Sequence, residues 1–186
     1  DRRRYLNARN TLMALLANRV VPIINENDTV ATEEIRVGDN DNLSALVANV
    51  VDADLLVLLT DQVGLYSADP RRDPRAELVR EVATPDIPEV VWEAAGGTNN
   101  GLGTGGMLTK LQAADLARRS GTTVLIAAGA GADVLAQAAH GTATGTWFRP
   151  AASAVESRKR YILSGGRAPG AVTIDAGAVK ALRGGG

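Results

Sequence analysis

The chain has 186 residues and a net charge of −1, and its 45% hydrophobic and 22% charged residues exclude a disordered or fibrous protein. Cysteine is absent and histidine occurs once, which excludes disulfides, thiolate metal sites, cysteine nucleophiles and clusters of histidine ligands. No apolar run reaches the roughly 18 residues of a membrane helix, so we expect a soluble, cytoplasmic protein that does not contact a membrane.

Helix and strand patterns alternate along the first third of the chain. Apolar residues at helical spacing over 5–16 predict an amphipathic helix, and the β-branched run over 20–24 predicts a buried strand. A second helix is predicted over 43–50. A continuous aliphatic run over 55–59 predicts another buried strand.

The same alternation returns after a stretch punctuated by proline and glycine. Helical spacing over 108–117, a strand pattern over 122–128 and a second helical pattern over 133–139 follow one another. Strands that alternate with helices predict an α/β fold, with a mainly parallel sheet and helices on both faces.

The pattern changes near Pro150. Strand patterns over 158–163 and 171–174 predict a β-rich unit that about thirty residues are too few to complete. From residue 156 onward six basic residues stand against two acidic ones. Such an asymmetry can mark a segment that faces nucleic acid, but a solvated charged face is favoured because the basic excess is small. We therefore expect three regions: a first domain at 1–149, a linker at 150–156 and the truncated start of a second domain at 157–186.

Polar side chains follow both aliphatic strands of the first domain. Residues 25–28 follow the first strand, Thr60 and Asp61 follow the second, and residues 39–41 stand at the start of a predicted helix. In open parallel sheets ligands bind beyond the carboxyl ends of the strands, which is where these groups fall. The residues at 25–28 and 39–41 could bind an amino group or position lysines and Mg²⁺ around a phosphate, and Thr60–Asp61 is either a turn or a nucleotide contact.

The strongest local signal is the glycine-rich segment GLGTGGMLTK at 101–110. Glycines let a backbone approach a ligand closely, and the start of a helix directs free N–H groups at an anion. Lys110, one turn inside the helix, would place a positive charge on a phosphate. The segment does not follow a strand directly and contains no Gly-Lys-Ser/Thr, so neither the Rossmann nor the Walker A fingerprint fits. Phosphate binding is favoured over a flexible surface loop.

Five blocks, in order, resemble the amino acid kinase family, and within it the kinases that phosphorylate glutamate. They are VPIINEND (21–28), VGDNDNLSA (37–45), LLTD (58–61), GLYSADPR (64–71) and GTGGMLTK (103–110). From residue 157 onward, SRKRYI and then VTIDAGA resemble the start of the PUA domain, an RNA-associated β-fold appended to many such kinases.

The resemblance implies an amino acid kinase-like fold that transfers phosphate from ATP, with Mg²⁺, to the γ-carboxylate of L-glutamate, the first step of proline biosynthesis. Two catalytic residues are implied: Lys110 would stabilise charge on the transferring phosphoryl group, and Asp41 would hold the catalytic lysines. Glutamate would contact Asn25, Asp28 and Asn40. ATP would contact Thr60, Asp61, Thr104, Gly105, Gly106, Met107, Leu108, Thr109 and Lys110. The metal ligands stay unassigned, and the resemblance also implies a dimer or tetramer and feedback inhibition by proline.

Two alternatives stay open. The chain could belong to an amino acid kinase with another acceptor, such as carbamate, aspartate, acetylglutamate or a nucleotide, or it could be an RNA-binding module that uses its basic C-terminal segment. We also expect little kinase activity from these 186 residues alone. The family opens with a strand, a glycine-rich loop and a further lysine, and the resemblance begins here only at a mid-domain helix.

Overall fold

A computed structural model describes residues 2–26, 40–70, 73–96 and 106–151. The helices and strands of this part, in chain order, are α1 (Arg2–Ala17), α2 (Asn40–Val51), β1 (Leu55–Thr60), β2 (Glu81–Val82), α3 (Glu89–Ala94), α4 (Met107–Arg119), β3 (Thr123–Ala128), α5 (Val134–Ala139) and β4 (Thr146–Phe148). The predictions made for Asp28, for Thr104 and Gly105, and for the PUA-like segment lie outside the described residues.

The four strands form one mixed sheet in the order β1-β3-β4-β2. β1 and β3 are parallel from Leu55↔Thr123 to Thr60↔Ala128, and β2 and β4 are also parallel. β4 runs antiparallel to β3. The mainly parallel sheet that the sequence predicts is therefore found in two of the three pairings.

The length of α5 accounts for the antiparallel pairing. A helix of 6 residues is about 9 Å long, whereas the 6 residues of β3 span about 20 Å. The helix is too short to return the chain to the beginning of β3. The chain therefore re-enters the sheet near the end of β3, and Thr146 of β4 lies opposite Ile126.

The side chains of β3 divide the core into two layers. Val124 and Ile126 pack with the buried residues of α4, among them Leu111, on one face. Leu125 and Ala127 lie on the other face, where they pack with Ala138 of α5 and its neighbours. Helices cover both faces of the sheet, as predicted. Three alanines of α4 are fully buried beside Leu111, and such small side chains allow the helix backbone to pack closely (Ala113, Ala114, Ala117).

The predicted strand over 20–24 is wrong for this structure. The segment is neither helix nor strand and pairs with no strand among the described residues, and Val21 and Ile23 are 83% and 96% exposed. A β-branched run favours extended backbone, but a strand forms only where a neighbour supplies hydrogen bonds.

The first helix, α1, is held against the end of α2 by Arg9, which donates to the Val50 carbonyl and pairs with Asp52 at 2.7 Å. The bond to Asp52 raises the pKa of Arg9.

A buried arginine fixes the C-terminal end of α4. Arg118 is fully buried, and its guanidinium donates from Nε to the carbonyl of Arg149 at 3.0 Å and from Nη2 to the carbonyl of Thr84. Burial lowers the pKa of Arg118, an effect that nearby Asp115 partly offsets. Arg118 thus links the last turn of α4 to the backbone that follows β2 and β4, and the helix has a defined position on the sheet.

Candidate functional site

The sheet and its two long helices bring the polar segments to one edge. α2 has 12 residues and leads into β1, while α4 has 13 residues and leads into β3. Helices of these lengths, about 18–20 Å, match strands of about 20 Å, so each helix begins near the end of the strand that follows it. The N-terminal ends of α2 and α4 therefore lie at the carboxyl edge of β1 and β3, as the sequence predicts for a ligand site.

An ion pair joins the first turns of α2 and α4. The Nζ atom of Lys110 lies 3.0 Å from Oδ2 and 3.2 Å from Oδ1 of Asp41. The two side chains are only 15% and 20% exposed, so water and salt screen the pair less than they screen a surface pair. Two residues that are 69 positions apart in the chain thus share one site. The sequence predicted both as catalytic residues, and the structure brings them together.

Thr109 contacts the same carboxylate. Its Oγ1 lies 2.8 Å from Oδ2 of Asp41 and 2.9 Å from the carbonyl oxygen of Gly106. Asp41 is held on its own helix as well, because the hydroxyl of Ser44 donates to the Asp41 carbonyl at 2.6 Å. The sequence analysis did not single out Ser44, although a serine three residues after a helix-start aspartate is a typical local hydrogen-bonding pattern.

Gly106 supplies the bend that starts α4. Its φ of +122° and ψ of −144° lie in a region that is essentially limited to glycine. A Cβ at this position would meet no described atom within 4 Å, so backbone conformation rather than space requires glycine here. The backbone N–H of Lys110 donates to the Gly106 carbonyl at 3.3 Å, the first intrahelical bond of α4. Glycine is therefore required immediately before the helical turn that carries Lys110.

A second polar cluster joins residues 25–26 to the start of α2. The Glu26 N–H donates to Oδ1 of Asn40 at 3.2 Å, Nδ2 of Asn40 donates to Oδ1 of Asn25 at 3.0 Å, and Nδ2 of Asn25 donates to the Glu26 carbonyl at 2.8 Å. Backbone groups at both ends fix which atom of each amide is oxygen and which is nitrogen. We call these three residues the amide circuit. Within the described part of the chain, each side-chain amide has one N–H that makes no hydrogen bond.

Thr60 and Asp61 lie at the end of β1, and Oγ1 of Thr60 donates to Oδ1 of Asp61 at 3.0 Å. The Thr60 carbonyl accepts the Gly129 N–H at 2.9 Å, which ties the ends of β1 and β3 together. The two residues share the edge of the sheet with the ion pair. No described hydrogen bond connects them to Asp41 or Lys110.

The sequence analysis missed an apolar cleft beside the amide circuit. The cleft has a volume of about 520 Å³ and lies between α2, β1 and the extended segment before Asn25. Its lining includes Leu43, Val47 and Val51, a stripe at i, i+4 and i+8 that the helical pattern of α2 could have revealed. Asn40 is one of its few polar lining residues, so the cleft opens next to the amide circuit.

The carboxylates of the described residues do not form a cluster around a metal position. No group of three or more histidine, aspartate or glutamate side chains in this part of the chain could hold a metal ion. The carboxylate of Asp41 already accepts hydrogen bonds from Lys110 and Thr109. Mg²⁺ commonly binds through substrate phosphates and one or two carboxylates, so it would have to come largely with the nucleotide.

Comparison with known proteins now identifies the family. Residues 1–128 match the sequence profile of the Amino acid kinase family. The chain belongs to the amino acid kinase family. "Glutamate 5-kinase" from Aliivibrio fischeri is 58% identical over 183 residues, 98% of this chain and 49% of that protein. "Glutamate 5-kinase" from Photobacterium profundum is 59% identical over 182 residues, 98% of this chain and 48% of that protein.

The chain thus spans about half the length of these curated relatives. Among solved structures, the UMP kinase from Ureaplasma parvum aligns with 76% of this chain and 52% of its own, with a TM-score of 0.47 and 11% identity. Within the residues that the structure describes, no helix is long and apolar enough to cross a membrane. The mixed sheet, the helices and the family assignment agree with the kinase-like architecture that the sequence predicts.

Proposed function

We propose that this chain contributes to a glutamate 5-kinase, which transfers the γ-phosphoryl group of ATP to the γ-carboxylate of L-glutamate. The observation that carries the proposal is the Asp41–Lys110 ion pair, 3.0 Å long, at the shared N-terminal ends of α2 and α4. The relatives named Glutamate 5-kinase, 58–59% identical over nearly the whole chain, support the choice of acceptor.

The chemistry of the site suits phosphoryl transfer to a carboxylate. In this reaction the protein mainly positions the reactants and neutralises charge on the transferring group. A carboxylate is already a competent nucleophile, so no general base is needed, and one histidine without cysteine is no obstacle. Lys110 has three ammonium hydrogens. Asp41 can accept two of them, and at least one remains for a phosphate oxygen.

The amide circuit suits the acceptor. Asn25 and Asn40 each keep an N–H with a fixed orientation, and N–H donors bind the oxygens of a carboxylate. We propose that these two residues, with Asp28, bind glutamate. The nucleotide would contact Thr60, Asp61 and residues 104–110, where the unpaired N–H groups of the first turn of α4 favour phosphate.

The remaining assignments rest on the sequence resemblance. We propose that residues 1–149 are the kinase region, that 150–156 are a linker, and that 157–186 begin a PUA-like unit through which RNA could bind. A cytoplasmic homo-oligomer, inhibited by proline and using Mg²⁺ carried by the ATP phosphates, completes the proposal.

Two measurements test the proposed function. Calorimetric titration with ATP should give saturable binding, and Lys110→Ala should weaken it by about tenfold, the effect of losing one charged hydrogen-bond donor. The acceptor is tested on a longer version of the chain that also carries the strand, glycine-rich loop and lysine with which the family opens, because little activity is expected from the 186 residues alone. In that version, ADP formation in a coupled assay should respond to glutamate and not to aspartate, acetylglutamate, carbamate or UMP. A response to one of the other acceptors would identify that acceptor, rather than glutamate, as the substrate. Salt-sensitive affinity for RNA without any ATP binding would favour the RNA-binding alternative instead.

A further inference from the structure

We propose that the hydroxyl of Thr109 is a positioning group: it orients the Asp41 carboxylate and, through it, the Lys110 ammonium group. The sequence resemblance implies instead that Thr109 contacts ATP. The proposal rests on the proposed function where it concerns catalysis. Its structural part concerns only the three side chains and can be tested without turnover.

The hydrogen count of the hydroxyl argues against a phosphate contact. A threonine hydroxyl donates one hydrogen. Two acceptors already lie within reach, Oδ2 of Asp41 at 2.8 Å and the Gly106 carbonyl at 2.9 Å. The oxygens of an ionised phosphate carry no hydrogen and can only accept hydrogen bonds. A phosphate would therefore be a third acceptor for the same hydrogen. Thr109 could donate to it only by releasing both protein acceptors.

The position of Thr109 explains how it can orient the carboxylate. Thr109 and Lys110 are consecutive on α4, so their side chains leave the helix about 100° apart. Asp41 reaches across from α2 and meets both: the hydroxyl at Oδ2, and the ammonium group at both oxygens. Two donors from different directions fix the rotation of the carboxylate about its last bond. The ammonium group alone, although it lies near both oxygens, would restrict this rotation less than the two donors together.

A contact between ATP and Thr109 can still be made by the backbone. The first N–H groups of a helix have no acceptor within the helix, and Thr109 is the third residue of α4. A side-chain substitution that keeps the helix leaves this N–H in place. The two possible roles of the residue therefore respond differently to removal of the hydroxyl.

The kinetic test is made in the longer version of the chain and compares Thr109→Val, which removes the hydroxyl with little change of shape, with Thr109→Ser, which keeps it. Positioning predicts that kcat falls about tenfold in the valine variant, the effect of one hydrogen bond to a charged group, while KM for ATP stays within about twofold. The serine variant should recover most of kcat. A raised KM for ATP with unchanged kcat in the valine variant would show a nucleotide contact and overturn the proposal.

A second test needs no turnover. The chain has three lysines, so the side-chain ammonium signals in a lysine-labelled sample can be assigned by nuclear magnetic resonance. Exchange of the Lys110 ammonium protons with water should be about tenfold faster in Thr109→Val than in the unmodified chain, and unchanged in Thr109→Ser. Equal exchange in the unmodified chain and the valine variant would overturn the proposal, as would equal acceleration in both variants.

Two controls separate the proposal from general effects. Thr142→Val removes another threonine hydroxyl that bonds a carbonyl, that of Gln137 at 3.3 Å, on an exposed residue after α5. It should change neither Lys110 exchange nor kcat. If Thr109→Val does not fold, Thr109→Ala also lacks the hydroxyl and suits a helix better. A longer version of the chain without glutamate-dependent turnover counts against the proposed function alone, and the exchange measurement then decides on Thr109.

Discussion

Gly106→Ala perturbs the start of the helix that carries Lys110. The φ of +122° and ψ of −144° at this residue cost about 1–3 kcal/mol for any residue with a Cβ. The added methyl group would meet no described atom within 4 Å, so crowding contributes nothing and backbone strain accounts for the whole effect. We expect the free energy of unfolding to fall by about 1–3 kcal/mol. A backbone that relieves the strain would displace Lys110 from Asp41, so ATP affinity should fall too.

Urea unfolding, followed by circular dichroism, measures this change, with equal m-values as the condition for comparing variants. Gly131→Ala is the matched control because Gly131 is not among the glycines with positive φ. The atom nearest to the added methyl group would be Cβ of Val134, at 4.0 Å. That variant should be neutral or more stable by about 0.4–1 kcal/mol. Unfolding free energies for the two variants that agree within about 0.5 kcal/mol would refute the reasoning.

Three further substitutions test the site and the fold. Asp41→Asn should lower kcat by up to about a hundredfold in the ADP assay, since Lys110 loses its anionic partner, and unchanged kcat would contradict this. The carboxylate of Asn40→Asp cannot donate to Asn25, so KM for glutamate should rise about tenfold while KM for ATP stays constant. Equal increases in the KM values for glutamate and ATP would argue against a role of the amide circuit in acceptor binding. Arg118→Ala should destabilise the fold by about 3 kcal/mol in urea, whereas Arg118→Met, which keeps the packed stem and removes a buried charge, should cost less than half of that. A methionine variant as unstable as the alanine one would contradict the packing role.

The long periodic elements could be predicted from the sequence, and the short ones could not. The aliphatic runs of β1 and β3 and the helical spacing of α2 and α4 describe elements of six or more residues. β3 is buried as predicted, whereas β1 forms the predicted strand but only its Leu58 is buried. β2 has 2 residues and β4 has 3, and strands this short are set by the partner they pair with. The run over 20–24 failed for the opposite reason. Its pattern is strong, but no pattern within a segment reveals whether a neighbouring strand is present.

The contact between Asp41 and Lys110 could be predicted from the resemblance, and the contact between Asp41 and Thr109 could not. Lys110 and Asp41 each stand in a motif that resembles the family, and the resemblance implied that one holds the other. The hydroxyl of Thr109 carries no such signal, because a threonine in the first turn of a helix usually bonds a carbonyl three or four residues earlier. Its bond to Asp41 depends on how α2 and α4 pack, and this packing comes from small residues such as Ala45 and Ala114.

The charges at the meeting point of α2 and α4 explain why an anion should bind there. Each helix N-terminus acts as about +0.5 elementary charge, so two of them with Lys110 give roughly +2. Asp41 supplies −1, and the site keeps an excess of about +1 in a region where both side chains are at most 20% exposed. The single negative charge of Asp41 is therefore too small to neutralise the site, but it is sufficient to hold the Lys110 ammonium group in place. A phosphoryl group that passes through this point would be stabilised by charges that are already oriented, which is the contribution that phosphoryl transfer requires of a protein.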